Sequence, residues 1–281
     1  MTDSHVTKRF MLAQSISDTF SKLPDVEAIT LGGSVSTDNA GADSDIDLYV
    51  YVTREIPVAT RAEIIHSRAS YAEIDNRFWE PGDEWIEAES GIAVDLMYRH
   101  PAWIEDQLDR VLVQHEASTG YSTAFWHNVR QALPLFDRNG WFARLQERAA
   151  QPYPEELVRA IVARNHPLLR TNMSSFLHQL EKAVRRNDVV ASNDRLTALL
   201  ASYFDILFAA NRTPHPGEKR LLTLASACEN VPQGMVEHVR TLLQTTCSAD
   251  YELLVRASTS LLDDLDRLLL AEGLLDPLRV S

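Results

Sequence analysis

Two spacings of apolar residues run along this chain, and the change from one to the other divides it. From His5 to Lys22, Val6, Phe10, Met11, Ile16 and Phe20 recur at helical spacing, and Pro24 stops the run. Glu27 to Leu31 is short and partly β-branched, predicts a strand, and ends in Gly32-Gly33-Ser34. Ile46 to Val52 predicts a second strand and Ala93 to Tyr98 a third. Helices are predicted over 58–69 and 101–117. This succession points to a small mixed α/β layer with helices packed on its face.

Beyond Gln151-Pro152-Tyr153-Pro154 only helical spacing remains. Pro154 suits a helix start, and Glu155-Glu156 suit its first turn. Helices are predicted over about 155–187, 192–211, 218–229, 232–246 and 249–272, with breaks at Asn187-Asp188, at Thr213-Pro214-His215-Pro216-Gly217 and at Val231-Pro232. The expected fold class is therefore α+β: a small mixed β-sheet domain over 1–150, then an all-α bundle over 151–281. A cleft between the two is the expected active site.

Charge sharpens this division. The net charge is −13. Residues 1–150 hold 24 acidic and 13 basic side chains, a net of −11, which leaves −2 for the remainder. So acidic an N-terminal part repels a phosphate backbone, so nucleic acid is not an expected partner, and it favours divalent metals and a cationic small molecule. No apolar run approaches the roughly 18 residues of a membrane span, and the first residues lack the basic and apolar runs of a secretory signal. A cytoplasmic location is expected, with Cys228 and Cys247 as reduced thiols.

The chemistry concentrates around two motifs. Asp45-Ile46-Asp47 opens a predicted strand, and residues two apart on a strand share a face. Two adjacent carboxylates repel unless a cation lies between them, and Mg²⁺ takes hard oxygen ligands. Asp95 sits within the equally apolar Ile92 to Met97 run. If its strand neighbours the other, three carboxylates meet as a two-metal site requires. Gly32 and Gly33 let the backbone approach phosphate oxygens, and Ser34 adds a hydroxyl.

Strand, Gly-Gly-Ser, loop, Asp-x-Asp strand and later Asp strand together resemble the nucleotidyltransferase superfamily that includes DNA polymerase β. The resemblance spans roughly residues 25–100. It implies that Gly33 and Ser34 hold a nucleoside triphosphate, with Gly32 beside them, and that Asp45, Asp47 and Asp95 bind two Mg²⁺ ions and are catalytic. The pairing of a minimal catalytic domain with a helical bundle is similar to bacterial enzymes that adenylylate aminoglycosides or lincosamides. That likeness implies ATP or another NTP as donor, a small hydroxyl-bearing acceptor such as an antibiotic, and a role in resistance. A transferase acting on tRNA or protein, and a silent nucleotide sensor, are the alternatives.

Other residues complete the expectations. Glu80, Asp83, Glu84 and Glu87, with Trp79 and Trp85, could form an acidic aromatic rim for an amine-bearing acceptor, one of them serving as general base. Glu116 is a further base candidate. Lys219 is a candidate phosphate ligand from the bundle, as is Arg99 beside the Asp95 strand. His127, His166 and His178 lack ligand spacing, and Trp126, Trp141 and Phe136 are expected in the core.

Overall fold

The computed structural model describes residues 2–33, 44–78, 80–248 and 250–276. Two units are present, one of Met1–Leu108 with Asn128–Gln151, the other of Asp109–His127 with Pro152–Ser281. Among the described residues no helix is long and apolar enough to cross a membrane.

In chain order the elements of the first part are α1 (Thr2–Phe20), β1 (Val26–Leu31), β2 (Ile46–Val52), α2 (Val58–His66), β3 (Ala69–Asn76), β4 (Gly82–Glu87), β5 (Ala93–Arg99), α3 (Pro101–Leu112), α4 (Ala124–Gln131), β6 (Leu133–Asp137) and α5 (Trp141–Ala149). The strands form one mixed sheet in the order β3-β4-β5-β2-β1-β6. β2 and β5 are parallel, and every other neighbouring pair is antiparallel.

Alternation along β2 decides what each face does. Ile46, Leu48 and Val50 are buried and join Val94, Leu96, Ile29 and Leu31 in one core. Ala13, Ile16 and Phe20 of α1 complete it. Asp47 and Tyr49 therefore take the opposite face. At the far end of that face Tyr51 is covered by Trp141 and Phe142 of α5, with ring centroids 5.0 and 5.5 Å away. The carboxylate end is only half-buried.

Strands β3, β4 and β6 go beyond the three predicted ones. Glu73, Asp75, Glu84 and Glu87 give β3 and β4 a polar appearance, and Pro134 disguises β6 at the sheet edge, where proline is tolerated. The predicted helix over 101–117 stops at Leu112, because His115 adopts a left-handed φ of 54°.

The second unit is helical: α6 (Glu155–Leu169), α7 (Phe176–Arg185), α8 (Val189–Ala210), α9 (Leu221–Ser226), α10 (Met235–Ser248) and α11 (Tyr251–Ala271). The single helix predicted over 155–187 is two. Pro167 lies in the last turn of α6, and Ser175 caps α7 by accepting from the His178 amide.

Asp205 is buried at 1% exposure in the apolar helix α8. It accepts from the Ser122 amide at 2.9 Å and from the Ser122 hydroxyl at 2.6 Å, while Asn165 of α6 binds the Gly120 amide at 3.0 Å. These bonds pin a turn in which Tyr121 holds a φ of 56°. Asp205→Ala takes the acceptor from the half-buried Ser122 donors and from the buried Asn165 amide, so a loss of about 3 kcal/mol is expected, read as a lower urea midpoint at unchanged slope.

Candidate active site

Strand register brings the acidic residues together. Asp47 of β2 lies directly beside Asp95 of β5, Asp95 beside Glu84 of β4, and Glu84 beside Glu73 of β3. Four carboxylates thus cross one sheet face in a row, at the roughly 4.8 Å strand spacing. Asp45 immediately precedes β2 and lines a cavity of about 180 Å³ together with Tyr71, Glu73, Glu84 and Asp95. Among the described residues no three carboxylate, imidazole or thiol side chains form a ready metal cage.

The two glycines fold over this face. The Gly32 amide donates to the Asp47 carbonyl at 2.9 Å, closing the turn onto β2. A Cβ on Gly32 would meet the Tyr49 ring at 2.6 Å, and one on Gly33 would sit 1.8 Å from Asp47 Oδ2. Gly33 also has a φ of 62°, a region that favours glycine. Only glycine therefore brings this turn against the Asp47 carboxylate. Ser34 lies outside the described residues, as does the loop to Asp43 and as does Trp79.

Charge crowding leaves a mark on Asp95. Burial, then Glu84, Asp47, Asp45 and Glu80, push its carboxyl from an ordinary 3.8 up to about 6. The folded protein thus holds this proton more tightly than the unfolded chain does. The stability so contributed is present below pH 3.8 and is lost as pH rises to about 6. Asp95→Asn removes that penalty. The variant is expected to be more stable than the parent at pH 7 to 8 without metal, by about 1 kcal/mol after solvent screening, and a thermal melt in chelator checks it.

The remaining acids of the expected rim separate by strand parity. Asp83 is fully buried on the opposite face, where it accepts from Arg61 at 2.8 Å and from the Tyr98 hydroxyl at 2.7 Å. Glu87, also buried, accepts from Arg68 and from Trp85 Nε1. Glu80 takes both donors of the Arg99 fork at 2.7 Å. These three hold the fold through ion pairs. Glu84 differs: it is exposed, beside Asp95, and held by the Asn76 amide at 2.7 Å.

Arg99, expected near phosphates, is buried against Glu80 and stacks 4.0 Å from the Tyr49 ring centroid. Glu116 pairs with Arg110 in the second unit. Lys219 is exposed in the turn before α9, also in the second unit. His166 binds Asp266 at 2.6 Å, and Trp126 is fully buried.

Two residues of this site escape sequence reasoning. Glu73 sits two positions from Tyr71 on a strand beyond the three predicted ones, and that spacing is its only signal. Arg9 is buried on α1 and donates Nε to the Ser44 carbonyl at 2.7 Å, fixing the residue before Asp45. Its signal is a cation four residues before Ala13 and seven before Ile16, on the apolar side of the helix.

Residues 14–79 match the family model described as Polymerase beta, Nucleotidyltransferase. Over that stretch the chain is similar to the nucleotidyltransferase superfamily. The match takes in β1, the glycine turn, β2 and its two aspartates, and ends before β4. Residues 127–221 match a second model, described as a Domain of unknown function (DUF4037). No curated protein matches. Among solved structures, a nucleotidyltransferase-like protein from Exiguobacterium sibiricum 255-15 is similar at 15% identity and a TM-score of 0.44, over 92% of this chain and 74% of that one.

Proposed function

We propose that this nucleotidyltransferase domain moves AMP from ATP to a hydroxyl of a small, amine-bearing acceptor, with Asp45, Asp47 and Asp95 as metal ligands. The observation that carries the reading is the side-by-side register of Asp47 and Asp95 beneath a turn that only glycine can make. Crowded hard-oxygen donors of like charge fit divalent cations, which would neutralise them. When bound, such ions supply activation of the acceptor oxygen and neutralisation of the triphosphate.

The chain's own groups do the rest. Gly33, with Ser34, offers backbone amides and a hydroxyl to the phosphate oxygens. The acceptor hydroxyl attacks the α-phosphorus, and the bond to the bridging oxygen breaks as pyrophosphate leaves in line. In this reading Glu84, next to Asp95 and lining the same cavity, takes the hydroxyl proton. Glu73 and Tyr71, on the same cavity, suit an ammonium group through charge and ring face. An antibiotic aminoalcohol belongs to this acceptor class.

The test is transfer of label from α-³²P ATP, with Mg²⁺, to a pooled library of amine-bearing alcohols and to matched neutral alcohols. Labelled amine-bearing product supports the reading. Label appearing only on added tRNA or protein would replace it with a macromolecular acceptor.

A further inference from the structure

A second cavity, of about 270 Å³, lies on the other face of the sheet and at its other end. It opens where the parallel strands β2 and β5 finish, at Val52 and just before His100. Ligands of open α/β sheets favour the carboxyl ends of parallel strands. The Val52 and Tyr98 side chains alternate away from Asp47 and Asp95, so this cavity is separate from the acidic row.

Its walls combine two kinds of surface. Val52, Ile56, Pro81 and Tyr98 make an apolar floor. Arg54, Arg77 and His100 stand around it, with Glu55 as the one acid of the lining. For a protein of net charge −13, three arginines, Arg54, Arg61 and Arg77, around one cavity are a local concentration of guanidinium groups. Arg61, beneath them, is buried and already neutralised by Asp83 and Asp75 at 2.8 and 3.1 Å.

The rim arginines are held much less firmly. Arg77 reaches Glu55 at 3.2 Å with both side chains exposed, at 58% and 72%, and also holds the half-buried Asp75 at 3.1 Å through Nε and a terminal nitrogen. Arg54, 79% exposed, pairs with Asp25. Exposed pairs of this kind contribute little, and Asp75 is shared between Arg77 and Arg61, so a ligand carboxylate can displace Glu55 and join Asp75 on the Arg77 guanidinium.

We propose that this cavity binds a small amphiphilic anion: a carboxylate carried on a compact aromatic or branched apolar body. The carboxylate pairs with Arg77 at the rim, and the apolar body covers Ile56, Val52 and Tyr98. Nucleotidyl transfer is not required for it, so failure of either reading leaves the other standing.

The test uses the full chain with ¹³C-labelled isoleucine and valine methyl groups, titrated with benzoate, benzylamine and inorganic phosphate. Benzoate is expected to shift the Ile56 and Val52 methyls saturably while Ile29, in the core, stays in place. Benzylamine and phosphate, each lacking one half of the required chemistry, are expected to leave them unmoved. Arg77→Gln, a change at an exposed side chain, is expected to weaken benzoate about tenfold, the effect of one charge-assisted bond. No saturable benzoate shift, equal binding of benzylamine, or unchanged affinity in the variant would each overturn the proposal.

Discussion

Asp47→Asn is expected to lower nucleotidyl transfer by about a thousandfold or more, the loss of roughly 4 kcal/mol of transition-state stabilisation. The change is isosteric and removes one charge from the row Asp47, Asp95, Glu84, Glu73. Folding has no need of that charge. Asp47 lies on the half-buried face, whereas the core that holds β2 is made by Ile46, Leu48 and Val50 opposite. Pyrophosphate release from ATP in the presence of Mg²⁺ and the acceptor pool measures the effect, with circular dichroism confirming an intact fold. A variant that keeps a tenth or more of parental activity would show that Asp47 holds no essential ion.

The second large effect belongs to Gly33. An added Cβ would fall 1.8 Å from Asp47 Oδ2, so in Gly33→Ala either the carboxylate or the turn has to move. Transfer is expected to fall at least about a hundredfold, since a displacement of around 1 Å in a positioned group has that cost. Left-handed backbone strain adds about 1–2 kcal/mol of instability. Gly91→Ala separates the two contributions. Gly91 has a φ of 69°, similar to the 62° of Gly33, yet a Cβ there meets nothing within 4 Å. It should lose comparable stability and keep its activity. Equal activity losses in both variants would trace the Gly33 effect to strain and not to Asp47.

Much of this site is legible in sequence because it obeys local rules. β2 and β5 alternate cleanly, so Asp47 and Asp95 stand out as carboxylates in otherwise apolar runs. Gly32-Gly33 marks the turn for the same reason. What escapes is whatever depends on which strands become neighbours. Glu84 reads as one of four similar rim acids, and only the antiparallel pairing of β4 with β5 sets it beside Asp95 while turning Asp83 and Glu87 away. Glu73 needs a further pairing, β3 with β4, along strands whose acidic residues hide them.

Arginine is the other blind spot. Arg99 looks from sequence like a cation available to a phosphate, and Arg61 carries no signal there at all. Their ion pairs with Glu80 and Asp83 span separations in sequence that no periodicity encodes. Arg9 shows the reverse, since its place on the apolar side of α1 hints at burial but not at its bond to Ser44. The bundle's breaks follow the same division: Pro167 and Ser175 are local signals, while the tie of Asp205 to Ser122 joins residues 83 positions apart.

The proposed function requires side chains from the starts of two parallel strands to hold divalent ions beneath a glycine turn. Electron paramagnetic resonance of Mn²⁺, titrated into the protein with a non-hydrolysable ATP analogue, reads it without any acceptor being known. Saturable Mn²⁺ binding is expected in the parent protein and is expected to be lost in the Asp47→Asn, Asp95→Asn double variant. Binding of the same strength and stoichiometry in both proteins would contradict it.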